Sequence, residues 1–536
     1  MEKADKVYRN GRIYTVDPEF HVVSCMAVGG GKILYVGGED GLKEWIGKDA
    51  QVVDLGGKTV MPGFIDSHIH LRMFGRNASR LSTKDKSKEQ ILADVKKAVK
   101  TMEPGQWLVS GTGWDNDWWS DPRYPSTEEL DEAAPDNPVY LRRAAGGVFW
   151  ANSLALKVAG ISKTEESDRQ AVLVNADGTP SGCFSYHLAQ RVEDCIPDSR
   201  EEYLKDVLTA QELLLSYGVV GFTEAIQYRD DVENMEALIR EGKFKLRYYG
   251  ALRDAVGRMA DPATHEYFLT CPRIGAYNDH FTVRTIKMLI GGTVGAMSAT
   301  HYEEFLDNPG NFGHPNYTDE ELDEAFLEAD RQGMQIMCHA IGDRDIDQYL
   351  EALERLNKVS PINGKRNRIE HFQLIRGDSP ERAKALGLVP SMQAMHAPNS
   401  SRMAMRRLGP ERARHAYAMG EVLRRVGIVV GGSDGPVATP NVMSGIHAAV
   451  TRKNDLMEPE GGFFPENAIT REEAVRSYTI WAAYAQFAED KRGSLECGKY
   501  ADLVILDRDP MTVPEDDIPT IRVLETVIDG KTEYKA

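Results

Sequence analysis

The stretch TDEELDEAFLEADRQGMQIMCHA, residues 318–340, decides the fold. Thr318 and Glu321 have capping-box spacing, in which each side chain accepts from the other's backbone N–H at a helix start. Leu322, Phe326 and Ala329 recur on one helical face, Gly333 ends the helix, and an apolar run follows over Met334–Cys338. A helix followed by a run without alternation marks a strand buried on both faces, as in parallel sheets covered by helices. Similar runs occur at Val219–Phe222, Lys245–Tyr249, Val283–Ile290, Arg368–Ile369, Leu388–Met392 and Ile428–Val430, and Met61–Ile65 makes the eighth. Eight such units predict an α/β protein built on a (β/α)8 TIM barrel; an open sheet is the rival.

Outward from the barrel, both ends of the chain read as β. Lys6–Val16, Met26–Gly37 and Gln51–Val60 are short strands with Gly29-Gly-Gly31 as a turn, and Ala501–Leu506 and Ile521–Tyr534 are strands with Asp529-Gly530 as a hairpin signal. The expected organisation is a small β-sandwich from residues 1–60 and 490–536, flanking a barrel over 61–489. The connection over about 72–205 is far longer than an ordinary α/β loop and predicts an inserted subdomain. It holds Trp107, Trp114, Trp118, Trp119 and Trp150, five of the seven tryptophans. They read either as the core of the insert or as an aromatic wall of a substrate pocket, with Trp114 and Trp150 as the substrate-binding candidates.

The chain has 536 residues, enough for one large core and smaller ones. Its net charge of -18 disfavours nucleic acid and anionic membrane surfaces as partners. The densest basic stretch (Arg402, Arg406, Arg407, Arg412, Arg414) is interrupted by Glu411, lacks aromatic residues, and reads as a solvated helical face. Six scattered cysteines, none in C-x-x-C, fit neither a disulfide framework nor a zinc-thiolate site. With neither a signal-type segment nor an apolar run of membrane-spanning length, the expectation is a cytoplasmic protein with no membrane partner.

Chemistry-bearing residues fall at the predicted strands. His68 and His70 follow Met61–Ile65, Lys287 lies within Val283–Ile290, His339 and His371 end their strands, and Asp434 follows Ile428–Ser433. All but Lys287 lie at or past the C-terminal strand ends, where such barrels build active sites. Residues i and i+2 of an extended segment point to one side, so His68 and His70 can close on one ion. A lone H-x-H is a weak signal, but the joint pattern is stronger. Nitrogen and carboxylate ligands suit zinc, with iron, manganese and nickel as alternatives. The other nine histidines, His21, His265 and His301 among them, are read as surface or structural.

The motif PGFIDSHIH, Pro62–His70, resembles the opening metal motif of the amidohydrolase superfamily. Cys338-His-Ala-Ile-Gly-Asp343, Arg368-Ile-Glu-His-Phe-Gln373 and Gly432-Ser-Asp-Gly-Pro-Val437 resemble motifs of its YtcJ-like branch, amidohydrolase family 3. So do Gly113-Trp-Asp115, Trp150-Ala-Asn-Ser-Leu-Ala155 and Gly498-Lys-Tyr-Ala-Asp-Leu-Val504. The resemblance implies metal ligation by His68, His70, His339, His371 and Asp434, with Asp434 also the general base. It further implies that Lys287 is a carboxylated lysine shared by two zinc ions; one ion beside an unmodified lysine is the alternative. Two departures stand out: Gly291 replaces an acidic residue usual in relatives, and Ala145-Gly-Gly147 stands where relatives often carry a histidine.

The expected reaction is hydrolysis of a linear N-acyl or N-formyl amide, a small-molecule substrate, by metal-activated water. A cyclic amidase, a deaminase and an esterase or lactonase are alternatives on the same site. A non-catalytic regulatory or binding protein is the alternative from another class. Relatives are often homodimers, and the sequence does not contradict a dimer.

Overall fold

The structure is a computed structural model, describing residues 3–536 except 85, 112, 117–118, 122, 144–147, 162–171, 175–179 and 259. It divides into two compact units, Met1–His70 with Gln211–Ala536, and Leu71–Ala210.

The first unit holds eight parallel strands: β1 (Phe64–Ile69), β2 (Val219–Gln227), β3 (Arg247–Arg253), β4 (Phe281–Leu289), β5 (Gln335–Ala340), β6 (Arg368–His371), β7 (Val389–Met392) and β8 (Val430–Gly431). They are hydrogen-bonded in sequence order from β1 to β8. Beyond the ends of β1 and β8, Ile69 and Gly435 form a parallel bridge that closes the ring. The protein is therefore a (β/α)8 TIM barrel. The helix Asp319–Arg331 has its capping box at Thr318 and Glu321, and Leu322, Phe326 and Ala329 are buried along one face.

The first barrel strand differs from the expectation. The apolar run around Met61 is two strands; both are buried, so they read as one run in the sequence. Thr59–Pro62 pairs with Leu503–Leu506 outside the barrel, with Met61 opposite Val504, and β1 starts only at Phe64. Gly63 divides them; a Cβ there would lie 2.3 Å from the Val220 side chain. His68 consequently sits inside β1 rather than after it.

Both chain ends contribute to one sheet. Val22–Val23, Arg12–Tyr14, Thr59–Pro62, Leu503–Leu506, Val523–Ile528 and Lys531–Lys535 lie side by side in that order. Asp529 and Gly530 turn the last hairpin with φ 51° and 72°, the two positive values a type I′ turn requires. A second sheet holds Ala4–Arg9, Cys25–Gly29, Lys32–Gly37 and Ile46–Asp54. Tyr8, Ile13, Met26, Val60, Leu503 and Val527 share one buried cluster, so N- and C-terminal residues make a common core. Arg247 at the start of β3 is fully buried, with Nε 2.6 Å from Asp502 and Nη2 2.6 Å from Asp529.

The basic helix Ser401–Ala413 corrects another expectation. Arg402 and Arg406 are exposed, but Arg407 is buried and donates to the Val294 carbonyl at 3.0 Å. Arg407 thus sits on the buried side of the helix, which composition alone does not show.

The second unit carries a five-stranded sheet of Leu108–Val109, Val139–Arg142, Val148–Ala151, Pro180–Ser185 and Val172–Val174. Trp114, Trp119 and Trp150 pack together in its core, Trp114 at 5.4 Å from Trp119 and 6.1 Å from Trp150 between ring centroids. Among the described residues no helix is long and apolar enough to cross a membrane.

Replacing Arg247 by Met should leave the Asp502 carboxylate buried without its counter-charge. The expected cost is about 3–5 kcal/mol, read as a lowered urea midpoint against wild type, with Asp502→Asn in the same background recovering part of the loss.

Candidate metal centre

The closure of the barrel builds the site. The Asp434 N–H donates to the His68 carbonyl at 2.7 Å, and the His70 N–H to the Gly435 carbonyl at 2.9 Å. Beneath this seam the buried Asp66 carboxylate accepts from Ser433 Oγ at 2.6 Å, from Ser433 N at 3.0 Å and from His68 N at 3.1 Å. The result sets Asp434 Oδ1 3.1 Å from His70 Nε2 and 3.5 Å from His68 Nε2. The His371 ring centroid stands 5.0 Å from that of His68 and 4.5 Å from that of His339. Five residues from β1, β5, β6 and the end of β8 thus converge.

Each inner histidine has one ring nitrogen committed to an oxygen. His68 Nδ1 meets Glu370 Oε2, His371 Nδ1 meets Gln393 Oε1 at 2.7 Å, and His339 Nε2 meets the Gly292 carbonyl at 2.9 Å. An oxygen acceptor keeps the proton on that nitrogen and leaves the other nitrogen's lone pair for a ligand, as in metal sites generally. The free atoms are then Nε2 of His68 and His371 and Nδ1 of His339. Glu370 is itself held by Arg368, which is buried in the barrel and donates to Glu370, Thr223, Ser391 and the Ser67 carbonyl.

Burial tunes these groups. Desolvation, with the Lys287 charge acting in the same direction, lowers His68 to about 4 and His339 to about 3, so both are neutral at pH 7. Desolvation also brings Lys287 down to about 8, and its Nζ is buried with no hydrogen-bond partner. For Asp434, burial acts to raise the pKa, but the His70 hydrogen bond and the electrostatic interactions with the His68 and His371 rings outweigh it and hold the carboxylate well below its usual value. His371 and Asp434 adopt left-handed backbone, φ 72° and 56°. Such conformations cost about 1–3 kcal/mol each and persist where the surroundings impose them, typically at functional sites.

The amidohydrolase family model matches residues 51–534. The chain belongs to the amidohydrolase family. Protein LONG AFTER FAR-RED 3 of Arabidopsis thaliana is 32% identical, the alignment covering 99% of this chain and 92% of that protein. YtcJ of Bacillus subtilis is 27% identical and covered to 99% on both sides, which places the chain in the YtcJ-like branch. N-substituted formamide deformylase of Arthrobacter pascens is 27% identical, over 99% of this chain and 98% of that enzyme. An uncharacterized metal-dependent hydrolase from Pyrococcus horikoshii superposes with a TM-score of 0.79 at 26% identity, covering 95% of this chain and 99% of that one. This amidohydrolase is a metal-dependent hydrolase, and its donor set fits a divalent ion: neutral imidazoles with a free nitrogen, one ionised carboxylate, and a buried amine with nothing else to bind.

Of the two departures from relatives, Gly147 lies outside the described residues, as does Trp118. Gly291 has a structural counterpart. A Cβ there would fall 2.3 Å from Asp345 Oδ1 and 2.4 Å from Oδ2, so Asp345 stands where a larger residue 291 would. Asp345 is buried, accepts from Thr300 N and Gly342 N at 3.0 Å, and has Oδ1 unpartnered. Trp114 and Trp150 are fully buried inside the second unit, and their indole N–H groups donate to the Leu141 and Ser126 carbonyls at 3.0 and 2.8 Å. With no exposed surface, both serve as core rather than as the wall of a substrate pocket. The sequence reading missed His396, which lies near Asp434; its signal was its place four residues past the strand that ends at Met392, matching the strand-end positions of the other candidates. His301, expected to be surface or structural, is buried beside Asp343 with Nδ1 at 3.1 Å.

Two outcomes follow for this amidohydrolase. Glu370→Gln, which removes the charge that orients His68, should weaken metal affinity about 10–100-fold in a chelator-competition titration. Gly291→Asp should lower the melting temperature through its clash with Asp345, and adding Asp345→Ala should restore most of it; equal melting of the single and double variants would refute the pairing.

Proposed function

We propose that the protein hydrolyses the C–N bond of a linear N-acyl or N-formyl amide. The observation that carries this reading is the Asp434 carboxylate, held well below its usual pKa and set 3.5 Å from the neutral His68 and 3.1 Å from His70 at the barrel seam. The formamide deformylase named above supports the choice of bond. In this reading zinc, as one or two ions, would be held by His68, His70, His339, His371 and Asp434, with Lys287 as a further ligand.

Lys287 has the chemistry for carboxylation. Its buried, partnerless amine is poorly held as a cation, and the neutral nitrogen can add to the carbon of carbon dioxide with loss of a proton. The carbamate so formed is an anion with two oxygens. A bound divalent ion supplies Lewis acidity and brings the pKa of water toward about 7. Asp434 accepts the proton of the attacking water and returns it to the departing nitrogen, so that the amine leaves neutral. Glu370 and Gln393 keep His68 and His371 in one orientation throughout. The same reading treats residues 1–60 and 490–536 as a β-sandwich, 61–489 as the barrel and about 72–205 as its insertion.

Asp434→Asn should retain measurable metal yet lose turnover about 10²–10⁴-fold on whichever member of an N-formyl and N-acyl amide panel the wild type cleaves; full activity in that variant would sink the mechanism. Protein equilibrated with ¹³C-bicarbonate should show a carbamate carbon signal by NMR that Lys287→Met lacks.

A further inference from the structure

The ring of His339 is held by a segment with little means of holding itself. Its Nε2 meets the Gly292 carbonyl at 2.9 Å, and that contact leaves Nδ1 as the nitrogen open to a ligand. Gly292 follows Gly291 just past the end of β4. Two successive residues without a Cβ leave φ and ψ nearly unrestricted. The position of the Gly292 carbonyl is therefore set by what packs on the segment from outside.

Some of that packing is local. The Gly292 N–H donates to the Ser298 carbonyl at 3.3 Å, and the Thr293 N–H to Ser298 Oγ at 3.1 Å. Asn316 Nδ2 donates to the Leu289 and Gly291 carbonyls at 2.9 and 3.4 Å. Ser298 and Asn316 belong to the same loop as the glycines, between β4 and the helix Asp319–Arg331. Asp345 reaches the segment from another element, the first turn of the helix Asp343–Val359 that follows β5. Its carboxylate lies directly on Gly291: Oδ1, Oδ2 and Cγ all fall within 2.5 Å of the place a Cβ on Gly291 would take.

The same carboxylate has two further contacts. Asp345 Oδ2 accepts from the Gly342 N–H and from the Thr300 N–H, each at 3.0 Å. The bond from Gly342 is the ordinary one at a helix start. The bond from Thr300 leaves the helix and ties it to the β4 loop. Gly342 stands three residues past His339, so one side chain joins the backbone that follows His339 to the glycines that hold its ring. Asp345 is buried, burial raises its pKa, and Oδ1 has no hydrogen-bond partner. An acid so placed is a poor source of stability, because desolvation offsets its bonds.

We propose that Asp345 is a positioning residue for His339. By clamping Gly291 it holds the Gly292 carbonyl on Nε2, and so keeps His339 in the one tautomer and orientation that leave Nδ1 free for a metal. The inference rests on the reading of His339 as a metal ligand and extends the support of that ligand to the helix after β5.

Two measurements test it. The first needs no metal. Metal-stripped full-length protein labelled with ¹⁵N-histidine reports the tautomer of each ring by NMR, and the signals lost in His339→Gln identify His339. Wild type should show His339 as the Nε2-protonated tautomer alone. Asp345→Ala, which removes both hydrogen bonds and the packing on Gly291, should show a mixture of tautomers. Asp345→Asn, which keeps an oxygen to accept from Gly342 and Thr300, should match wild type. The second measurement is cobalt(II) affinity by chelator competition. Asp345→Ala should bind about 10-fold more weakly, the lower end of what loss of an outer partner costs, and Asp345→Asn should stay near wild type. Arg247→Met, destabilised at the opposite end of its strand, should keep its cobalt affinity, which separates positioning from general loosening. Circular dichroism melting confirms folding, with Asp345→Ser as the substitute should Asp345→Ala not fold. A folded Asp345→Ala protein that keeps the single tautomer, or that binds cobalt as wild type does, overturns the proposal. So does an Asp345→Asn protein as impaired as Asp345→Ala. Unchanged cobalt affinity in His339→Gln would instead remove His339 as a ligand, and the tautomer alone would then decide the role of Asp345.

Discussion

The site depends on one constraint, the closing of the barrel between its first and last strands. β8 is only two residues long, and past its end the ring is completed by backbone hydrogen bonds from the Asp434 N–H to the His68 carbonyl and from the His70 N–H to the Gly435 carbonyl. Asp66 reinforces the join by accepting from Ser433 and from the His68 N–H. Because these bonds set Asp434 beside His68 and His70, the geometry of the metal centre and the closure of the fold are one feature. Burial raises Asp66 to about 6, so hydrogen bonding from Ser433 and His68 offsets only part of the desolvation of its charge.

Inside the barrel, polar groups replace part of the apolar filling that such barrels usually carry. Arg368 spans the interior and fixes Glu370, which fixes His68. A buried charged network of this kind is weak as a source of stability but strong as a source of position, since each member has few alternative partners. The same burial keeps His68, His339 and His371 neutral and draws down the Lys287 pKa. The left-handed backbone at His371 and Asp434 is strain that the surrounding hydrogen bonds sustain.

Much of this was legible from residue order. Capping-box spacing, helical faces and apolar runs located the α/β units, because such patterns reflect local backbone geometry and burial on both faces. The positions of His68, His70, His339, His371 and Asp434 at strand ends marked them as a set. The limits were equally physical. An apolar run does not show which sheet it joins, so Met61 and Phe64 read as one strand although Gly63 divides two. Tryptophan-rich sequence does not show whether rings face a cavity or one another; Trp114, Trp119 and Trp150 face one another. His396 stands four residues past its strand, and only the course of the loop brings it near Asp434.

The sequence by itself determined the eight α/β units, the β character of both ends and the residue types at the strand ends, because these follow from periodicity and turn chemistry within short windows. The tertiary structure alone decided which oxygen of Asp434 faces which histidine, which nitrogen of each ring is free, and that Asp345 fills the place left by Gly291. Those outcomes depend on contacts between residues tens to hundreds of positions apart, as with His68 and Glu370. No local pattern encodes such a distance; only closure of the ring brings the partners within bonding range.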